Sequence, residues 1–508
     1  MSELEVLIAR VLQPGFPGPT APDWIRRRLG AGLGSVILFA PNIETPTQLR
    51  TLTDSLRAEN PDVFVAIDEE AGDITRLEHA DGSSYPGNLA LGTVDDIALT
   101  QAMARSVGSR VRAAGIDLDY APVADVNSEP RNPVIGARSF GADPDLVARH
   151  VAAAVRGLHA AGVAACLKHF PGHGDTVVDS HHGLPTVTAS RADLERITLP
   201  PFRAGLAAGA RAVMIAHLLL PALDPDHPAS VSPTVIGDLL RAGMAFDGLA
   251  VSDGIAMAAV RERYGLAGAT VRALIAGIDV VCVDKDTTDA DMTALTDAVT
   301  AAVRDGSLPE ARLLEAASRV EKFAQWRREV REASDSQASD AVGAGSSSNA
   351  DILPDLSALP AFPDSPNFPD AAGFEAARRA IGILRAEPTA LPLTQPPHVV
   401  ETVLPRSLAD HLAELLPGTT RSPLTEVADA ADLPTGRPLV IAVRGIQRAP
   451  EDVERVIALT KERPDALVVE LGVPSVDPGG AAWIVSHGAS RVCLRAVAEI
   501  IAGRKFPA

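Results

Sequence analysis

Along roughly the first 325 residues, short β-branched or apolar runs alternate with alanine-rich stretches of helical periodicity. The runs cover 35–39, 63–67, 116–120, 163–167, 212–216, 249–252 and 279–283. Helical patterns fall between and after them, as at 94–114, 144–161, 194–208 and 233–242. Strand–helix repetition predicts a parallel sheet, and seven repeats over this length suit a (β/α)8 TIM-like barrel better than an open sheet. After a helix over 309–328 the pattern lapses. The stretch 331–374 is rich in Ser, Ala, Asp and Pro and reads as a linker that buries no core of its own. Alternation then resumes with runs at 380–384, 399–404, 439–443, 466–470 and 482–485 and a closing helix over 492–502, which predicts a second, smaller α/β domain.

Polar residues gather just after the apolar runs: Asn42, Asp68, Asp125, Lys168 with His169, His217, Asp253 and Asp284. Any one of these could cap a loop. A barrel would set them all at the carboxyl ends of its strands, the face where this fold carries its sites. The densest group follows the run 163–167: Lys168-His169-Phe170-Pro171-Gly172-His173-Gly174-Asp175, then Asp179-Ser180-His181-His182. Packing alone does not call for one lysine, four histidines and two aspartates in one loop.

Composition narrows the chemistry. The 508 residues carry 46 basic and 65 acidic groups, a net charge of −19, with no basic stripe interleaved with aromatics. Such a balance speaks against nucleic acid and anionic membranes as partners. Three cysteines without a close pair, Cys166, Cys282 and Cys493, argue against a disulfide framework and a CxxC metal site. His169 and His173 stand four apart, but Phe-Pro-Gly between them breaks the helix that would align two ligands, so no metal and no cofactor are expected. With no export-signal pattern and no run of roughly 20 apolar residues, a cytoplasmic location is the expectation. The oligomeric state is left open.

The segment Lys-His-Phe-Pro-Gly-His-Gly followed by Asp-Ser-His resembles glycoside hydrolase family 3, and within it the NagZ-type β-N-acetylglucosaminidases. Supporting matches are Gly15-Phe16-Pro17-Gly18, Ile67-Asp68-Glu69-Glu70-Ala71-Gly72, Ala137-Arg138-Ser139-Phe140 and Val251-Ser252-Asp253, in a series spread over about residues 15–325. The resemblance implies a barrel over 1–328, a linker over 329–374 and an α/β sandwich over 375–508. It implies removal of terminal, non-reducing β-N-acetylglucosamine with retention, from cell-wall fragments or chitooligosaccharides. Asp253 would be the nucleophile, although many relatives have a second carboxylate where this chain has Gly254. His181 would be the acid/base, oriented by Asp179, in a loop over 175–185 that moves during turnover. An imidazole with an unperturbed pKa near roughly 6.5 can both give and take a proton at neutral pH. Asp68, Arg76, Arg138, Lys168 and His169 would bind the sugar. The plain alternatives are a strand-end cap for Asp68 and surface ion pairs for the two arginines. His173 would brace its loop, while Asp119, Asp125, Asn127, Arg131 and His217 read first as structural residues.

Three other readings stay open. A phosphorylase would use phosphate in place of water in the second step. A β-glucosidase or β-xylosidase of the same family would take a carboxylate from the second domain as its acid, with Glu470 the candidate. A binding protein would have kept the barrel and lost turnover.

Overall fold

A computed structural model describes residues 2–179, 183–340, 368–403, 405–427, 429–474 and 476–505, with the backbone alone at 333–340 and 368–370. By the clustering of its contacts the chain divides into two compact units: Met1–Glu69, Thr100–Val126 and Asp143–Phe362 form one, and Glu70–Leu99, Asn127–Ala142 and Pro363–Ala508 the other.

The first unit is built on eight parallel strands: β1 (Leu12–Gln13), β2 (Ser35–Leu38), β3 (Phe64–Ile67), β4 (Leu118–Asp119), β5 (Ala164–Phe170), β6 (Ala212–Ile215), β7 (Leu249–Ser252) and β8 (Val281–Cys282). β2 to β7 pair in sequence order. A parallel bridge from Val251 to Val280 carries β7 on to β8, and β8 pairs with β1. The amide of Ile37 donates to the Pro14 carbonyl at 3.1 Å, which returns the ring from β1 to β2. The barrel expected from the repeats is therefore present.

Alternation along each strand decides what fills it. Phe64 and Ala66, Ala164 and Cys166, Ala212 and Met214, Leu249 and Val251, and Val280 and Cys282 share one core. Two of the three cysteines are thus barrel filling. Val320 and Phe323 of the helix Glu310–Asp340 pack into the same core. That helix runs past Arg328 into the stretch read as linker, and the helix Phe368–Ala380 begins inside it. The segment has no glycine until Gly343 and no proline until Pro354. A sequence too polar to bury a core can still continue a helix while nothing interrupts it.

The second unit centres on a six-stranded sheet made of β9 (Gly382–Ala386), β10 (His398–Glu401), β11 (Thr420–Pro423), β12 (Leu439–Val443), β13 (Leu467–Glu470) and β14 (Ala482–Val485). The order is β11-β10-β12-β13-β14-β9, parallel except for β9. Alternate residues supply both faces. Val440, Ala442, Leu467 and Val469 pack with the helix Arg491–Ala502 on one side, and Leu439, Ile441, Val443 and Val468 with Pro450–Glu462 on the other. This is the α/β sandwich architecture. Among the described residues no helix is long and apolar enough to cross a membrane.

Candidate active site

Parallel strands deliver their carboxyl ends to one mouth of the barrel, and the polar residues singled out above emerge there. Asp68 follows β3, Asp125 lies beyond β4, Lys168 and His169 belong to the last turn of β5, His217 follows β6 and Asp253 follows β7. The register between β5 and β6 shifts between Leu167 and Phe170, so that Leu167 pairs with Val213 but Phe170 with Ile215. The extra residue in β5 re-aims consecutive side chains, as a bulge does.

Lys168 is almost wholly buried, with 2% of its side chain exposed against 22% for Asp68, and the two form an ion pair. A buried ammonium without such a partner would be strongly destabilising. Asp119 lies close to both and is fully buried. Burial first, and then the charge of Glu69, raise its carboxyl well above the usual range. One of its oxygens accepts from the Glu69 amide at 3.0 Å, which fixes the turn after Asp68.

Asp125 organises the next corner. Its carboxylate lies 2.7 Å from Nδ1 of His169 and accepts the His173 amide at 2.7 Å. Burial opposes its ionisation, but His169 and the hydrogen bonds it receives prevail and hold the carboxyl below its ordinary range. An ionised Asp125 makes Nδ1 of His169 the protonated nitrogen and directs the ring through Nε2. The loop is tied at 173 by the backbone amide, a bond that does not depend on the histidine side chain.

Asp253 is half-buried. Its amide donates to the Ile215 carbonyl at 3.0 Å, tying the turn to β6, and its Oδ1 accepts the Gly254 amide at 2.8 Å. An added Cβ at Gly254 would meet nothing nearer than Met257 at 3.5 Å, so the backbone does not demand glycine there. Beside the turn opens a cavity of about 630 Å³ lined by Gly254, Met257, Arg261, Glu262, Val283 and Asp284. That volume falls in the range of small-molecule sites.

Asp179 is half-buried, and its carbonyl accepts the Gly183 amide at 3.2 Å. His181 lies outside the described residues, as do Ser180 and His182. The loop that carries them leaves β5 and is tied down again where Thr186 bridges Leu219, two residues beyond His217. Arg76 and Arg138 belong to the second unit. Arg76 is half-buried. Arg138 makes a two-point ion pair with Glu70, at 2.6 and 2.9 Å, in a largely buried setting. Among the described residues no group of three or more His, Cys, Asp or Glu is placed to hold a metal ion.

Residues 21–323 match the glycosyl hydrolase family 3 N-terminal domain. The chain belongs to glycosyl hydrolase family 3. Two relatives and one solved structure locate it further. A β-hexosaminidase of Stenotrophomonas maltophilia is 39% identical over 268 residues, 51% of this chain and 78% of that protein. β-Hexosaminidase A of Pseudoalteromonas piscicida is 36% identical over 270 residues, but these span 49% of this chain and only 45% of the relative. The structure of a family 3 β-N-acetylglucosaminidase from a Paenibacillus species superposes with a TM-score of 0.83 at 31% identity, over 100% of this chain and 98% of that one. A β-glucoside phosphorylase shares the fold, with a TM-score of 0.77 at 20% identity. The chain is accordingly a glycoside hydrolase, and its two architectures are those of a two-domain family 3 enzyme.

The sequence reads Asp125 and His217 first as structural residues, and both make such contacts, but a single chain does not show which partners they hold. Their signal was position: each follows a barrel strand. Glu470 stands differently. It is 2% exposed, accepts the Gly445 amide at 3.2 Å, and burial pushes its carboxyl up to about 8. In this conformation it is a packed, protonated side chain without access to solvent. Because the folded state holds the proton more tightly, Glu470 makes stability fall as pH rises from its unfolded value, roughly 4.3, to about 8. Glu470→Gln keeps an acceptor for Gly445 and should remove that decline. Thermal unfolding at pH 5 and pH 8.5 checks this: the gain should be confined to the higher pH, and turnover should be unchanged.

Proposed function

We propose that this chain hydrolyses terminal, non-reducing β-linked N-acetylglucosamine with retention of configuration, acting on cell-wall fragments or chitooligosaccharides in the cytoplasm, without metal or cofactor. The observation that carries the reading is Asp253, half-buried at the end of β7 on the barrel mouth that also presents Asp68–Lys168 and His169–Asp125. The likeness of the whole chain to the Paenibacillus β-N-acetylglucosaminidase supports the choice of sugar.

In the first step a carboxylate oxygen of Asp253 attacks the anomeric carbon while His181 gives its proton to the departing glycosidic oxygen. The carbon–oxygen bond breaks and a glycosyl ester forms on Asp253. In the second step His181 takes a proton from water, whose oxygen attacks the same carbon and releases the carboxylate. Asp179 orients the imidazole and favours its protonated form. Asp68, Lys168 and His169 hold sugar hydroxyls, with Arg76 and Arg138 assigned to binding by the family resemblance alone.

The test is release of a chromogenic phenol from its β-N-acetylglucosaminide, with and without added phosphate. Phosphate-independent release, with free sugar as product, is expected. Release that requires phosphate and yields the sugar 1-phosphate would make the enzyme a phosphorylase. β-Glucosides cleaved in preference would overturn the sugar assignment.

A further inference from the structure

His217 has no role in the steps above, yet it is fully buried and hydrogen-bonded through both ring nitrogens. Nε2 lies 3.0 Å from the carbonyl oxygen of Gly254, and Nδ1 lies 2.7 Å from Oγ of Ser230. A carbonyl can only accept, so Nε2 carries the hydrogen. In the neutral ring Nδ1 then accepts from the Ser230 hydroxyl. Ser230 sits in the short 3-10 turn Ala229–Val231, and His217 itself follows β6.

The contact falls on the residue that holds the nucleophile. Gly254 donates its amide to Oδ1 of Asp253 and receives His217 on its carbonyl. That carbonyl also closes the turn by accepting the Met257 amide at 2.9 Å, and the Ile255 amide is fixed by the Cys282 carbonyl at 2.9 Å. The turn is thus tied forward along the chain and to β8, while His217 ties it sideways to the loop after β6. Glycine at 254 is the most permissive residue for backbone rotation, so a turn built on it needs such outside ties to keep one conformation. A carboxylate that must meet an anomeric carbon within a few tenths of an ångström depends on that peptide staying put.

We propose that His217 is a positioning residue for the nucleophile, holding the Asp253–Gly254 turn through Nε2 while Ser230 holds the ring at Nδ1. The inference rests on Asp253 being the nucleophile.

Two isosteric variants separate this role from simple packing. The amide nitrogen of His217→Gln can take the place of Nε2 and keep the bond to Gly254. That of His217→Asn replaces Nδ1 and reaches only Ser230. With the aryl β-N-acetylglucosaminide as probe, His217→Ala and His217→Asn should lose roughly 10- to 100-fold in kcat with KM nearly unchanged, because a misplaced reacting group slows the chemical step. His217→Gln should recover most of that loss. Ser230→Ala should fall between, since it removes the tie at Nδ1 and leaves the Nε2 bond to Gly254 in place. Asp253→Ala and thermal midpoints are measured alongside. Equal activity in the Asn and Gln variants, whether high or low, would overturn the positioning role, even if His217→Ala does not fold. Full activity in folded His217→Ala beside an inactive Asp253→Ala would overturn it while leaving the proposed function intact. Wild-type-like turnover in Asp253→Ala would overturn both.

Discussion

Asp253→Ala should lower kcat by on the order of 10⁴-fold or more, the scale seen when a covalent nucleophile is removed from a site that keeps its other parts. The amide of Asp253 anchors β7 to β6 and survives the substitution. The variant should therefore fold with an almost unchanged thermal midpoint. Azide offers a sharper check than the loss itself. A small anion can enter the space left by the carboxylate, attack the anomeric carbon of an activated aryl glycoside and yield the α-glycosyl azide. Rescue with that stereochemistry identifies the vacated group as the nucleophile. Turnover within about tenfold of wild type would be too small a loss for that role.

His181→Ala should cost about 10²- to 10⁴-fold, the usual share of a general acid or base, but the cost should depend on the leaving group. A sugar alkoxide needs the proton as it departs, whereas a dinitrophenolate does not. The deficit in kcat/KM should thus be large for a disaccharide and small for a dinitrophenyl glycoside. In the second step no leaving group remains to differ, so kcat should fall alike for every substrate whose hydrolysis of the ester limits turnover. The pH profile should also lose the limb that an imidazole sets. Asp179→Ala should move every one of these quantities in the same direction and less far, because it acts through His181. A loss that is the same in kcat/KM for all leaving groups would remove His181 from the acid role.

Much of this was legible in the chain. Seven barrel strands announce themselves as apolar runs bounded by polar turns, and the strand ends that follow them locate Asp68, Lys168, His169 and Asp253. β1 was not legible, because Leu12–Gln13 directly continues the apolar periodicity of the helix Glu3–Val11 and shows no alternation of its own. β11 was missed for the opposite reason: Thr420–Pro423 is an edge strand with two exposed residues and no apolar run. The limits at the site are of another kind. Whether a histidine is a ligand, an acid or a brace depends on what faces its two nitrogens, which sequence order does not state. Asp125 and His217 stand out by position, but what they hold is seen only when their partners, 44 and 37 residues away along the chain, are found at hydrogen-bond distance. Arg138 shows the same gap. The resemblance assigns it to sugar binding, with a surface ion pair as the plain alternative, and neither reading names Glu70, 68 residues earlier, as its largely buried partner.

Retaining hydrolysis through Asp253 is most directly tested by the stereochemistry of the first product. Proton NMR of wild-type enzyme acting on an aryl β-N-acetylglucosaminide should show β-N-acetylglucosamine appearing first, with the α anomer following only as the sugar mutarotates. Initial release of the α anomer would mean a single displacement by water, and Asp253 would then not carry a glycosyl ester.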